Sequence, residues 1–294
     1  MKIAVVGSIN IDQTVIADRI PHKGETLPGH DLHYIPGGKG ANQAVAMARL
    51  GAETAMFGCV GDDENGRKMI DNLKANGVST EFVRVAKGVP TGIAIITVGE
   101  NDNTIIVVAG ANGKVDRTYV DSVKDALLSY DMVVLQHEIP LDTVHYVVEL
   151  CSAHKVPVVL NPAPAAEVPA DIIEKVTWLT PNEHEAALIF GADKTPEELL
   201  KRYPGKLVIT QGSKGVSAGL SDGTVFNVPV RPAKVADTTG AGDTLNGAFC
   251  VRIAMGDSVE NALRYANTAA SLSTEKFGAQ GGMPTAEEVS RALK

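Results

Sequence analysis

The sequence predicts an α/β fold: a mostly parallel central sheet with helices on both faces, plus a small β-sheet lid. Three observations predict it. Short, continuously apolar runs, as at residues 3–6 and 132–135, are the pattern of strands buried on both faces. From residue 116 onward such runs alternate with stretches of helical period. Two segments, about 11–36 and 89–109, break that rhythm with β-branched, turn-rich sequence and are assigned to the lid.

Composition sets the outer limits. The chain has 294 residues, 44% hydrophobic and 21% charged, enough to bury a sizeable core, and is read as a single domain over 1–294. Net charge is -8 and no basic run occurs, which argues against a nucleic-acid surface. Three widely spaced cysteines fit reduced thiols rather than a disulfide framework, and no Cys/His cluster has zinc spacing. The N-terminal apolar run is too short for a signal peptide, and no stretch approaches the roughly 18 apolar residues of a membrane span. A cytoplasmic protein without membrane contact is expected.

Taken in order, residues 3–6 form a buried strand closed by Gly7-Ser8. Asn10 and Asp12 follow at its carboxyl end, where open α/β sheets place ligands, although a polar turn explains them equally well. Strands are expected at 11–16 and within 27–35; His22, His30 and His33 read as surface residues. Gly37-Gly38-Lys39-Gly40-Ala41-Asn42 then enters a helix whose apolar stripe ends at Gly51. The Walker A spacing is missing, but glycines before Lys39 and Asn42 let a polyhydroxyl ligand approach the backbone. A plain helix start fits the same residues. Strand 55–60 and helix 65–75 follow, then the alternating residues 82–85 and a hairpin of 91–98 with 104–108. An exposed edge there suits a dimer contact.

Beyond it, helices are predicted at 116–129, 141–154 and 183–191, and strands at 132–136, 156–160, 176–179 and 207–210. A hairpin-like pair covers 215–220 and 224–228, and helices cover 241–255, 258–275 and 285–293. Polar residues recur at strand ends: Glu138, Asn161, Asn182 with Glu185, and Thr210 with Gly212. Side chains at several carboxyl ends of one sheet converge on one crevice. Asn182 and Glu185 share one face of a helix start, where they suit either capping or water-bound Mg²⁺ and phosphate.

The organising stretch is Asp237-Thr238-Thr239-Gly240-Ala241-Gly242-Asp243 and the apolar helix behind it. A helix N-terminus binds anions. A carboxylate beside an anion hole makes sense if Asp243 takes a proton from a hydroxyl while the amides steady a transferred group. Alone, the stretch is equally an Asp cap with glycines for close packing.

Together, Gly37-Gly38-Lys39-Gly40-Ala41-Asn42 and Asp237-Thr238-Thr239-Gly240-Ala241-Gly242-Asp243 make the chain resemble the ribokinase-like (PfkB) carbohydrate kinases. Asn161-Pro162-Ala163-Pro164, Thr180-Pro181-Asn182-Glu183-His184-Glu185 and Gly278-Ala279-Gln280 extend the resemblance over nearly the whole chain. It implies ATP-dependent phosphorylation of a sugar hydroxyl, with Asp243 as base and the Gly240, Ala241 and Gly242 amides as anion hole. It implies sugar contacts from Asn10, Asp12, Gly38, Lys39, Asn42 and Glu138, with Ala94, Ile96 and Val107 lining the sugar from the lid. Asn182, Glu185, Thr210, Gly212 and Asn267 would serve the nucleotide, with Glu185 on Mg²⁺ through water. Activation by K⁺ is implied at Asp237, Thr239, Ser273, Lys276, Gly278 and Gly282, as is a homodimer through the lid. Two departures stand out: Gly282 replaces a more usual serine, and residues 191–205 are short, which predicts a trimmed helix.

Overall fold

The computed structural model describes residues 1–100 and 102–294; Asn101, in the predicted hairpin turn, lies outside the described residues. The chain opens with strand β1 (Lys2–Val6), passes into β2 (Asn10–Ile16) and β3 (Asp31–Gly37), and returns through helix α1 (Lys39–Arg49). Next come β4 (Glu53–Gly61), α2 (Glu64–Ala75), β5 (Val83–Ala86), β6 (Gly92–Gly99) and β7 (Asp102–Val108). The regular alternation is α3 (Arg117–Leu127), β8 (Met132–Gln136), α4 (Leu141–Ala153), β9 (Val158–Asn161), α5 (Ala170–Lys175) and β10 (Trp178–Leu179). Helices α6 (Glu183–Phe190) and α7 (Pro196–Arg202) precede β11 (Val208–Thr210), β12 (Val216–Gly219) and β13 (Val225–Val228). The chain ends with α8 (Ala241–Ala254), α9 (Val259–Ser273) and α10 (Ala286–Ala292).

The main sheet has six strands in the order β10-β9-β8-β1-β4-β5, and every pairing in it is parallel. Parallel bridges Leu179–Leu207 and Asn182–Thr210 lead from it to β11, from which β12 and β13 run antiparallel. The predicted mostly parallel sheet is thus observed. Alternation along β1 divides the core. Ile3 and Val5 join the layer of Met47, Phe249 and Ala266 from α1, α8 and α9, whereas Ala4 and Val6 join that of Tyr119, Val147 and Ile172 from α3, α4 and α5. All three cysteines are free and buried. No helix among the described residues is long and apolar enough to cross a membrane.

A separate sheet, in the order β3-β2-β6-β7, stands over the carboxyl end of β1. Its centre pairs β2 with β6 in parallel; β3 and β7 flank them antiparallel, so the predicted 91–98/104–108 hairpin is present. Register aligns Ile35, Asp12, Ala94 and Val107 in one row, and His33, Thr14, Ile96 and Ile105 in the next. Side chains in register share a face, so Asp12, Ala94, Ile96 and Val107 line the same side.

Three details differ from the sequence-based expectation. The alternating residues 82–85 belong mostly to β5, the parallel edge strand of the main sheet, because Val83 packs against the main core. Helix α5 was not foreseen; it buries Ile172 and Ile173 in a single short turn pair. Helix α7 occupies the short 191–205 segment, closed by a reciprocal Thr195–Glu198 capping box with Pro196 in its first turn.

Phe249 is fully buried on α8 and meets Trp178 edge-on at a centroid distance of 5.3 Å. Phe249→Ala is expected to destabilise the fold by about 3–5 kcal/mol, read as a lower urea midpoint at unchanged m-value.

Candidate active site

Two helices enter the cleft behind glycines in left-handed backbone. Gly38 precedes α1 at φ 87°, where a Cβ would lie 2.7 Å from the Asn10 nitrogen. Gly240 precedes α8 at φ 77°, where a Cβ would lie 2.8 Å from the Ala279 Cα. The α1 entry therefore presses against the start of β2, and the α8 entry against the C-terminal loop.

Between the two helix starts lies Asp243, 6% exposed. Asn42 Nδ2 donates to its Oδ2 at 2.9 Å and Gln43 Nε2 to its Oδ1 at 3.0 Å. Gln136 Nε2 in turn donates to Gln43 Oε1 at 2.7 Å. Gln43 Nε2 also reaches Asn161 Oδ1 at 3.1 Å, and Asn161 Nδ2 donates to the Thr180 carbonyl at 2.9 Å. The Thr180 hydroxyl donates to Asn246 Oδ1 at 2.5 Å, and Asn246 Nδ2 returns to the Gly242 carbonyl at 2.9 Å. Asp243 is thus held by uncharged donors tied to the ends of β8, β9 and β10.

Asn10 is buried, and its Oδ1 accepts from Asn112 Nδ2 at 2.6 Å. Glu138 Oε2 accepts from the Ser8 hydroxyl at 2.5 Å and from the Lys39 backbone N–H at 3.0 Å. Asn182 and Glu185 form a reciprocal capping box: Glu185 Oε2 accepts from Asn182 N–H at 2.8 Å and Asn182 Oδ1 from Glu185 N–H at 2.9 Å. Capping and lining are compatible here, since both residues also face the cleft.

One lysine serves several acids. Asp243, then Glu138, Glu185 and Asp12, draw the Lys39 ammonium pKa upward against its burial. Burial, then Glu138 and Asp243, pushes the Asp12 carboxyl up to about 7, with Lys39 opposing. Burial raises Glu185 as well, against the Asn182 N–H and Lys39.

Lys39, Asn182, Glu185, Thr210 and Asp243 line a polar cavity of about 130 Å³. A largely apolar one of about 590 Å³ adjoins it, lined by Val230, Pro232, Val235, Gly212, Asn267 and Ala270. Thr210 and Gly242 border both. The smaller cavity suits phosphate groups and the larger a nucleoside. Gly242 N–H, in the first turn of α8, has no acceptor within the helix. Ala241 N–H donates to the Thr238 carbonyl at 3.2 Å, so that amide must change partner to serve an anion.

At the C-terminal loop, Asp237 Oδ1 accepts from Thr239 N–H and Oγ1 at 2.9 and 2.6 Å, and Oδ2 from Gly278 N–H at 2.9 Å. Burial opposes ionisation there, but those hydrogen bonds outweigh it and hold the carboxyl below the usual range. A Cβ on Gly282 would lie 2.0 Å from the Ser273 carbonyl, which brings Ser273 and Gly282 together. The Ser273 hydroxyl is turned to the Ala270 carbonyl at 2.8 Å, and the Lys276 side chain points out to Glu288 at 3.9 Å. Carbonyl oxygens remain as the donors of this loop, a set suited to an alkali cation. Among the described residues no group of three or more His, Cys, Asp or Glu could hold a metal ion. Glu185, already engaged by Asn182, suits magnesium held through water rather than directly. Ile96 and Val107 lie on the lid face beside Ala94, with Val107 half-exposed.

Sequence reasoning missed Gln43, Gln136, Asn112, Asn246 and Ser8 as supports of the site. Gln43 and Gln136 left a detectable signal: an amide inside an otherwise apolar run demands a buried partner.

The pfkB family carbohydrate kinase model matches residues 1–286. The chain is 48% identical over 294 residues to the ribokinase of Bacillus subtilis (strain 168), spanning 99% of both chains. It is 43% identical over 295 residues to that of Lactococcus lactis subsp. lactis (strain IL1403), spanning 100% of this chain and 97% of the relative. The solved structure of Arabidopsis thaliana ribokinase complexed with ribose and ATP matches with TM-score 0.89 at 32% identity, over 99% of this chain and 98% of that one. The protein belongs to the pfkB family of carbohydrate kinases.

Because the Asp12 pKa in the fold lies above its value in the unfolded chain, its contribution to stability is present at pH 4 and lost as pH rises through about 7. Asp12→Asn is therefore expected to raise the melting temperature at pH 8 by roughly 3–8 °C. The gain should vanish near pH 4 in a pH series of thermal melts.

Proposed function

We propose that this chain is an ATP-dependent ribose kinase, moving the ATP γ-phosphoryl group to the O5 hydroxyl of D-ribose to give ribose 5-phosphate and ADP. The observation that carries it is the buried Asp243 carboxylate at the start of α8, lining the polar cavity beside Gly242, which borders both that cavity and the nucleoside-sized one. Full-length relatives named ribokinase, at 48% and 43% identity, and the ribose- and ATP-bound structure support the substrate pair.

Asp243 accepts the O5 proton as O5 bonds to the γ-phosphorus and the bond to the β-phosphate oxygen breaks. Asn42 and Gln43 hold the carboxylate toward the hydroxyl. Gly242 N–H and its neighbours Gly240 and Ala241 steady the transferred group, and Lys39 balances the charge that builds there. Asn10, Asp12, Gly38, Lys39, Asn42 and Glu138 grip the sugar hydroxyls, while Ala94, Ile96 and Val107 cover the ring. The Asn10–Asp12 pair suits a sugar with vicinal hydroxyls. Asn182, Glu185, Thr210, Gly212 and Asn267 serve the nucleotide. Glu185 would hold magnesium through water, and the ion would supply charge neutralisation at the phosphates. The oxygens about Asp237, Thr239, Ser273, Lys276, Gly278 and Gly282 would take K⁺ as activator.

The domain 1–294 acts as one unit whose four-stranded sheet is a lid over the sugar. Exposed Leu32, Tyr34, Ile95, Ile106 and Val108, on the other face of that sheet, make it the contact of a homodimer. Its thiols and its need for ATP suit the cytoplasm.

Asp243→Asn is expected to lower turnover by on the order of 10²–10⁴-fold while ribose affinity by calorimetry changes little; near-normal turnover would overturn the base assignment. In a coupled assay over pentoses, hexoses and nucleosides, with and without K⁺, ribose should lead. Equal efficiency on 2-deoxyribose would contradict the vicinal-hydroxyl reading.

A further inference from the structure

The Asp243 carboxylate is the end of a longer chain of side chains that begins outside the cleft. Arg49 Nε donates to Asn76 Oδ1 at 2.9 Å. Asn76 Nδ2 reaches Asn72 Oδ1 at 3.4 Å, a long contact beside its 2.8 Å bond to the Asn72 carbonyl. Asn72 Nδ2 donates to Gln280 Oε1 at 2.7 Å, and Gln280 Nε2 to Asn42 Oδ1 at 3.0 Å. Asn42 Nδ2 then donates to Asp243 Oδ2 at 2.9 Å. Asn42 and Gln280 are both buried. The backbone of the same loop is pinned by Arg49 Nη1, which donates to the Gln280 and Met283 carbonyls at 2.6 and 2.9 Å.

The two ends of this chain have no freedom. A guanidinium can only donate, and an ionised carboxylate can only accept. Every amide between them must therefore point the same way, carbonyl oxygen toward Arg49 and NH₂ toward Asp243. Turning any one over sets two acceptors or two donors face to face somewhere along the line. Within a buried network such a mismatch is costly, and aligned bonds reinforce one another.

We infer that Gln280 and Asn72 are positioning residues for phosphoryl transfer, acting through Asn42 to keep an N–H donor on the catalytic carboxylate. This inference rests on Asp243 as the base. It ties the C-terminal glycine loop and α2 to the reacting atoms, although Asn72 lines neither cavity of the site.

The direction of the chain supplies the test. Asn72→Asp keeps the shape but leaves an acceptor where a donor is needed. Gln280 would turn its NH₂ to the new carboxylate, and Asn42 would in turn present its oxygen to Asp243. Asn72→Leu merely breaks the chain. Steady-state turnover should fall roughly tenfold or more in Asn72→Asp but only about two- to threefold in Asn72→Leu, with the KM for ATP unchanged in both. Gln280→Glu should likewise be worse than Gln280→Met. A packing role gives the opposite rank, because Asp and Glu are the closer isosteres. Thermal melts check folding, and Asn72 is only partly buried on a surface helix, so its variants remain foldable. If Asn72→Asp and Gln280→Glu turn over as fast as their apolar counterparts while Asp243→Asn is inactive, the relay is overturned and the base assignment stands. An active Asp243→Asn overturns the base assignment itself.

Discussion

Both oxygens of one buried carboxylate, Asp243, accept hydrogen bonds from the N-terminal part of another helix, and much of the architecture serves that contact. Helix α8 carries the acid and α1 carries Asn42 and Gln43. The two helices can meet closely because a Cβ on Gly247 would come within 2.8 Å of the Ala46 Cβ. Burying an unpaired carboxylate is prohibitive, so the donors are required for folding as well as for chemistry. Their type matters. A bidentate arginine would satisfy Asp243 but would also hold it strongly ionised and weaken it as a base. Amides solvate the charge without neutralising it.

The same logic explains the distribution of charge around Lys39. Asp12, Glu138, Glu185 and Asp243 all act on this one cation. The cleft thus has an acidic wall, which offers acceptors to the hydroxyl donors of a neutral ligand. It also has a donor corner, at Lys39, Thr210 and the start of α8, where a polyanion finds positive potential. Burial, then the Glu138 and Asp243 carboxylates of that wall, raises the Asp12 pKa against Lys39. Phosphoryl transfer needs both surfaces in one place, with the acceptor hydroxyl and phosphate in line.

The layout was readable in the sequence where backbone chemistry dominates. Buried strands declare themselves as apolar runs, and the two glycine-led helix entries were found because left-handed backbone at Gly38 and Gly240 excludes most side chains. The convergence of Asn10, Glu138, Asn161, Asn182 and Thr210 followed from their places at strand ends. Less readable were the groups that hold those side chains still. Gln43 meets Asp243 across 200 residues of sequence, and Gln280 meets Asn42 across 238. No local pattern encodes such a meeting; it exists only once the strand order is known. Helix α7 is a different case, because Thr195-Pro196-Glu197-Glu198 is a capping signature that was present but belongs to a very short helix. Strand β5 was ambiguous because four residues, three half-buried and one exposed, look alike on a lid and on a sheet edge.

The lid is joined to the site in a way that neither feature reveals alone. Its strands converge on one residue: register places Gly37, Asn10 and Gly92 side by side across β3, β2 and β6. A Cβ on Gly92 would lie 2.3 Å from Asn10 Oδ1 and 2.2 Å from Asn112 Nδ2, so the glycine is what makes room for the Asn10–Asn112 pair. Asn10 opens β2 after the short link from β1, and Gly37 runs directly into Gly38 and α1. The four-stranded sheet is therefore joined to the main body at Asn10 and Gly38, and Asp12 lies one pleat further along β2. These are the residues assigned to grip the sugar, and Lys39 and Asn42 lie within the next turn of chain. The four-stranded sheet and the start of α1 are thus continuous in the chain, and through Asn42 that connection reaches the carboxylate at the start of α8.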